Sequence, residues 1–319
     1  MNIIKKPLLL ICSAGQLLYA NWFLHDQKKT SKELALKVEQ SNTMLNFLYS
    51  TNPGKLIRSG LTKKWFSIAA GMYCDSSLSK YHINSFIIAN NIDMNEAIQK
   101  AEEFATFNEF FTRKLKTEAR PIDQQANSII SPADGNILVF QHCATTKKFP
   151  IKSVSFNLEQ FLNDQKLAEE FANGTVVIIR ICPHDYHRFH FPYTCIPAVP
   201  QKINGNYESV NPIAYYTGIQ PLTENERRLY MLKTTTGDDI LMVSVGAMCV
   251  GKIIESYQAH TQYEKGAEAG YFCFGGSTIV LIFKHGTIQI DKHIMVNSLE
   301  NKEMPIKMGQ KIGIMLPHN

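Results

Sequence analysis

The stretch FGGSTIVLIF, Phe274–Phe283, decides how the chain is read. Ile279-Val280-Leu281-Ile282-Phe283 is a short β-rich apolar run of the kind buried on both faces of a sheet. Ahead of it, Gly275-Gly276 allow backbone conformations closed to residues with a side chain. An ordinary turn leading into a strand would account for the glycines and for Ser277-Thr278. The remaining sequence has to distinguish that turn from a reactive one.

The chain of 319 residues is 45% hydrophobic and 19% charged, which fits one large or two ordinary globular domains with a real core. A net charge of +5 is modest. Its basic clusters, Arg113-Lys114-Leu115-Lys116, Lys147-Lys148 and Arg227-Arg228, lack the long runs of a nucleic-acid arm and suit a solvated face or anionic lipid headgroups. Seven scattered cysteines without a C-x-x-C pair argue against a disulfide framework or structural zinc and fit a reducing compartment.

Lys5-Lys6 precede an apolar run from Pro7 to Leu24, broken only by Gln16, Asn21 and the small residues Ser13–Gly15. Its length is at the lower limit for a membrane span. A signal peptide cut after Ala20, a short transmembrane helix and a helix lying in the interface are all compatible with it. Trp22-Phe23 suits an interfacial position, so residues 1–24 are expected to associate with a membrane.

From 25 to 122 the signals are helical. Asp93-Met94-Asn95-Glu96 and Thr106-Phe107-Asn108-Glu109 match the capping-box pattern and predict a helix after each. From 123 to 319, short apolar runs alternate with turn residues and predict strands at 136–140, 175–182, 240–245, 279–283 and 312–316. The expected class is α+β, a helical N-terminal third packed on a mainly antiparallel β-rich core.

Four segments of the β-rich part bear chemistry. Ser131-Pro132-Ala133-Asp134-Gly135 is a tight turn presenting a carboxylate. Pro183–Pro192 holds His184, His187 and His190 at spacings of three. Shared metal ligation is one reading, disfavoured by the bracketing prolines; packing and acid–base catalysis are the others. Gly205–Pro212, with Asn225-Glu226-Arg227 beyond it, and the glycine-flanked Val245–Gly251 complete the set.

FNEFFTRKLKTEARPI (Phe107–Ile122), SPADG (Ser131–Gly135), DYHRFH (Asp185–His190), SVNP (Ser209–Pro212), NER (Asn225–Arg227), VGAMCVG (Val245–Gly251), KGAEAGYF (Lys265–Phe272) and GGST (Gly275–Thr278), in this order, resemble phosphatidylserine decarboxylase. The likeness runs from Tyr73-Cys74-Asp75 to Lys307-Met308-Gly309-Gln310.

That resemblance implies a precursor that breaks its own Gly276–Ser277 bond, giving chains 1–276 and 277–319 that remain associated. Ser277 would attack the Gly276 carbonyl and end as a pyruvoyl group, the covalent cofactor; no metal is expected. By the same resemblance His190 is the base and Asp134 its orienting carboxylate, as in a Ser-His-Asp arrangement. The pyruvoyl group would form a Schiff base with phosphatidylserine, release carbon dioxide and yield phosphatidylethanolamine, with His187 as the candidate proton donor. Further expectations are a place on the cytoplasmic face of a membrane, a homodimer and no nucleic-acid partner. Two rivals are a decarboxylase of a soluble amino acid and a Ser-His-Asp hydrolase, the latter weakened by the missing G-x-S-x-G elbow. A lipid-binding protein without self-processing is the third.

Overall fold

The computed structural model describes residues 43–143, 149–151, 154–248, 252–275 and 277–317; the apolar run at 7–24 and Gly276 lie outside them. Each apolar run expected to form a strand does so. The principal sheet is antiparallel, in the order Met304–Ile306, Gly135–Cys143, Gly174–Ile181, Ser277–Phe283, Asp239–Gly246, Arg227–Thr234 and Cys195–Pro197. Gln201–Ile203 also pairs with Arg227–Thr234.

Strand Ser277–Phe283 lies in the middle, and every one of its residues is buried. Alternation of side chains sends Ile279, Leu281 and Phe283 to one face, where they pack with Ile179, Met242, Phe189 and Phe272. Val280 and Ile282 go to the other face, against Leu158, Phe161 and Phe171 from two short helices, Leu158–Leu162 and Gln165–Glu170, and the turn after them. The first face is covered by a three-stranded sheet of Ile253–Glu255, Glu268–Phe272 and Arg188–His190. A strand covered on both faces needs no polar alternation, which explains the unbroken apolar run.

Helices Thr43–Ser50, Asn52–Leu61, Lys64–Cys74 and Ile83–Asn90 come before the sheets in the chain, as the α+β expectation has it. The two capping-box patterns behave differently. Thr106 Oγ1 accepts from Glu109 N–H at 3.2 Å and opens the helix Phe107–Phe111. Asp93 caps only a single 3₁₀ turn, Met94–Glu96, because the chain then pairs Ala97 with Leu115. That bridge, supported by Lys116 N–H to the Glu96 carbonyl at 2.8 Å, takes the backbone groups a helix would need.

Helix Phe107–Phe111 is short but ties helices Lys64–Cys74 and Ile83–Asn90 together. Phe107, Phe110 and Phe111 are buried with Cys74, Ile83, Phe86 and Phe104, and Phe274 of the glycine loop packs against them. The helical layer therefore rests directly on the segment that precedes Ser277.

Leu281 has sheet partners on both sides, and its side chain is fully buried. Leu281→Ala is expected to destabilise the chain by about 3 kcal/mol, read as a lower denaturant midpoint. A loss below about 1 kcal/mol would contradict a close-packed centre at this strand.

Candidate active site

Ser277 is the first residue of the central strand, opposite Ile181 on one side and Gly246 on the other. Its Oγ is buried and has no hydrogen-bond partner among the described residues. A buried hydroxyl left unpaired costs free energy, and among the described serines only Ser67 shares this state. Gly275, two residues earlier, has φ +141°, a conformation that favours glycine. The chain thus bends at Gly275, and Ser277 sits in a site unlike an ordinary strand start.

His187 occupies the same corner. Its carbonyl accepts from Phe272 N–H at 3.0 Å, tying it to the strand that ends just before the glycine loop. Its ring lies 3.9 Å from that of Phe111, and the Phe274 ring lies 5.3 Å from Phe111. Nδ1 is 2.9 Å from the Asp185 carbonyl, so this nitrogen carries the proton and Nε2 the lone pair. Nε2 is buried without a hydrogen-bond partner among the described residues, although the Gly275 backbone comes close enough to favour the protonated ring. Burial outweighs that help and drives the His187 pKa down to about 3, with the Arg113 charge acting in the same direction.

His190 is also kept neutral by burial, which lowers its pKa. Its Nδ1 is 2.9 Å from the Gly266 carbonyl, and the Tyr186 hydroxyl is 3.1 Å from its Nε2. The backbone brings the SPADG turn to it, since His190 N–H donates to the Pro132 carbonyl at 2.8 Å. The side chains do not follow. Asp134 takes two bonds from Arg120 Nε, at 2.8 and 3.0 Å, one from Arg120 Nη2 at 2.5 Å and one from Met308 N–H at 2.8 Å. Among the described residues no hydrogen bond joins Asp134 to His190 or His190 to Ser277. The structure thus brings His187 and the glycine loop together, and His190 and the SPADG backbone together, without linking serine, histidine and aspartate into one hydrogen-bonded chain.

The three histidines do not converge on one point. His184, rather than His187 or His190, has a ring nitrogen within 4.8 Å of ligand atoms of Cys182 and Asp185. Arg180 Nη1 and Asn136 Nδ2 donate to the Cys182 sulfur at 3.3 and 3.4 Å, an environment that disfavours a cation there. A cavity of about 560 Å³ opens beside these residues, with Arg113, Arg120, Asp134, Asp185, Tyr186 and Lys307 in its wall. Ser277 does not line it. Asn136, in the same wall, pairs with Arg180, one residue before the Ile181 that faces Ser277. Asn136 is therefore about two strand spacings, ~10 Å, from Thr278, the neighbour of Ser277.

The family model for phosphatidylserine decarboxylase matches residues 107–314. The chain belongs to this family. It is 41% identical over 285 residues to the phosphatidylserine decarboxylase proenzyme of Clostridium tetani (strain Massachusetts / E88), covering 89% of this chain and 96% of the relative. The corresponding proenzyme of Clostridium perfringens (strain ATCC 13124 / DSM 756 / JCM 1290 / NCIMB 6125 / NCTC 8237 / Type A) is 42% identical over 285 residues, with 88% and 97% covered. That of Ruminiclostridium cellulolyticum (strain ATCC 35319 / DSM 5812 / JCM 6584 / H10) is 39% identical over 286 residues, with 89% and 95% covered. Phosphatidylserine decarboxylases are carboxy-lyases that make phosphatidylethanolamine.

Several decarboxylase-motif residues acquire roles that sequence reading left blank. Arg120, in the run ending Arg120-Pro121, is the partner of Asp134. Asn225 accepts from Glu208 N–H and donates to the Glu208 and Gly246 carbonyls, each at 2.8 Å, bracing the strand end opposite Ser277. Both stand inside quoted motifs, but their partners are distant in sequence.

The two neutral histidines give a pH signature. Histidines in an unfolded chain take up protons near pH 6.5. Between there and pH ~3, the value to which burial brings His187, the unfolded state binds more protons than the folded one. Stability therefore falls as pH falls through that window. Acidification from pH ~7 to ~5 is expected to destabilise the wild type, and His187→Asn to remove about 2 kcal/mol of that loss. Identical losses in denaturant unfolding of both proteins would exclude a neutral, buried His187.

Proposed function

We propose that the chain is a precursor that cuts its own Gly276–Ser277 bond and then decarboxylates phosphatidylserine. The observation that carries this reading is the buried Ser277 hydroxyl, unpartnered among the described residues, two positions after the bend at Gly275 in the family's GGST motif. Attack of Oγ on the Gly276 carbonyl converts the amide to an ester; β-elimination then releases chain 1–276 as a carboxylate and leaves a dehydroalanine at 277, which water hydrolyses to a pyruvoyl group with loss of ammonia. Once formed, that group supplies a carbonyl that takes up the substrate's amine and accepts the electron pair left by departing carbon dioxide. The hydrolase rival lacks the trailing glycine of the G-x-S-x-G elbow, where Ile279 stands, and family membership disfavours it together with the soluble-substrate and binding-only readings.

Ser277 needs a base, and both imidazoles are neutral with Nδ1–H given to a carbonyl, the tautomer that leaves Nε2 basic. In the reading that follows the family resemblance, His190 is the base, Asp134 supports it through charge, and His187 delivers the proton in decarboxylation. His190 must then release Tyr186, and Nε2 of His187 by the glycine loop, which carries a lone pair, must first take up a proton before it can deliver one. The same unpartnered nitrogen also favours a second reading, in which His187 serves as base itself. The cavity lined by Arg113, Arg120, Lys307 and Asp185 offers groups of both signs to a phosphoserine headgroup.

The small chain 277–319 is expected to stay bound, because its strand 277–283 is laddered on both sides by strands of the large chain. Membrane docking is supported by an apolar face on the helical layer. On helix Lys64–Cys74, Trp65, Ile68 and Met72 are exposed on one side while Phe66, Ala70 and Cys74 are buried on the other. Leu56, Ile57, Tyr81 and Ile88 extend the exposed apolar surface, and Lys55, Lys63, Lys64 and Lys80 are exposed among them. Such a surface fits an anionic bilayer interface on the cytoplasmic side. Among the described residues no helix is long and apolar enough to cross a membrane.

Intact-mass measurement of purified protein is expected to give chains 1–276 and 277–319, and one uncut chain for Ser277→Ala. An uncut wild type would end the self-processing reading. In a time course, His190→Ala should stop cleavage while His187→Ala still cleaves but releases little carbon dioxide, each loss being about a hundredfold or more. Cleavage by His190→Ala at the wild-type rate, with none by His187→Ala, would transfer the base role to His187.

Replacing Trp65 and Met72 together by Glu should reduce cosedimentation with vesicles containing anionic phospholipid while leaving cleavage intact. Unchanged sedimentation would remove this face from membrane docking.

A further inference from the structure

The loop before the scissile bond is held at two points. Cys273 N–H donates to the Lys252 carbonyl at 3.0 Å, and Phe274 N–H donates to Asn108 Oδ1 at 2.9 Å. Asn108 is buried at 6% exposure and in turn gives its Nδ2 to Asp75 Oδ1 at 2.7 Å. The Phe274 ring is seated edge-on against Phe107 at 5.1 Å and Phe111 at 5.3 Å, neighbours on one face of the same short helix. From Ser277 onward the chain is fixed by the sheet. Gly275 and Gly276 are thus the whole span between two anchors.

We infer that Asp75 and Asn108 are positioning residues for self-cleavage, holding Phe274 N–H so that the carbonyl after Gly275 is presented to the Ser277 hydroxyl. This rests on the self-processing reading of Ser277. The chemistry requires an accurate approach, because a hydroxyl attacking the carbonyl of its own preceding residue has little freedom to search. An amide side chain is needed at 108. Phe274 N–H can only donate and the Asp75 carboxylate only accept, so the residue between them must accept on one atom and donate from the other. Helix Phe107–Phe111 supplies both the amide and, through Phe111, the ring on which His187 rests. The loop and the histidine are therefore placed by one element.

The test is a cleavage time course on the full chain, scoring release of 277–319. Asn108→Ala is expected to slow cleavage about tenfold or more, equivalent to about 1.4 kcal/mol at the transition state. Asn108→Asp should also be slow, because it sets two carboxylates against each other. The exchange Asp75→Asn with Asn108→Asp restores a donor facing an acceptor at both contacts and should return the rate to within about threefold of wild type. Because the exchange keeps both hydrogen bonds, it remains informative even where Asn108→Ala fails to fold. Wild-type cleavage by Asn108→Ala, or an exchange no faster than Asn108→Asp alone, overturns the inference while leaving self-processing intact. A wild-type chain that never cleaves overturns both.

Discussion

Seven consecutive residues, Ser277 to Phe283, are paired on both sides at once, with Ile181–Thr175 on one side and Gly246–Ile240 on the other. This double ladder fixes the register of the sheet, because a slip of one residue would turn Ile279, Leu281 and Phe283 away from their core. It also fixes Ser277, whose position is set by the strand and not by a loop. Reactive side chains on regular elements are held more accurately than those on loops, and here the anchor lies immediately after the bond in question.

Around that fixed serine the polar groups are arranged by burial. His187 and His190 each give Nδ1–H to a backbone carbonyl, which selects the tautomer and keeps the ring in one orientation. Asp134 is surrounded by donors from Arg120 and from Met308 N–H. Removing Arg120 from such a pair would strand a buried carboxylate, so the pair is harder to break than to build. Met308 belongs to the C-terminal segment, which makes Asp134 a tie between the SPADG turn and the end of the fold.

The strands were legible in the sequence because burial on both faces leaves an unbroken apolar run, and turn residues mark its ends. The order of motifs was enough to indicate the family. The Asp93 helix was over-read, since a capping pattern reports only local hydrogen bonding and the Ala97–Leu115 bridge is a competing long-range pairing. The site was legible as a set of residues but not as contacts. Asp134, His190 and Ser277 are expected to meet by the resemblance, and the hydrogen bonds that Asp134 and His190 make to Arg120 and Tyr186 could not be read from the sequence. Asn108 and Phe274 are 166 residues apart, and no local pattern announces that a capped helix will hold the glycine loop. Periodicity reports which side of an element is buried; the partner that buries it is a tertiary outcome.

The central strand has a further consequence for the life history of the molecule. If the chain is cut at Gly276–Ser277 as proposed, the strand first reaches its place as part of one continuous chain, with closure costs set by loop length. Afterwards the same strand would have to find the gap between Gly174–Ile181 and Asp239–Gly246 as a separate molecule, at a cost that depends on concentration. Two edges made for pairing would stay open meanwhile and could recruit other strands. Under the proposed cut, folding would have to precede processing, and the two-chain form would depend on slow unfolding rather than on ready reassembly.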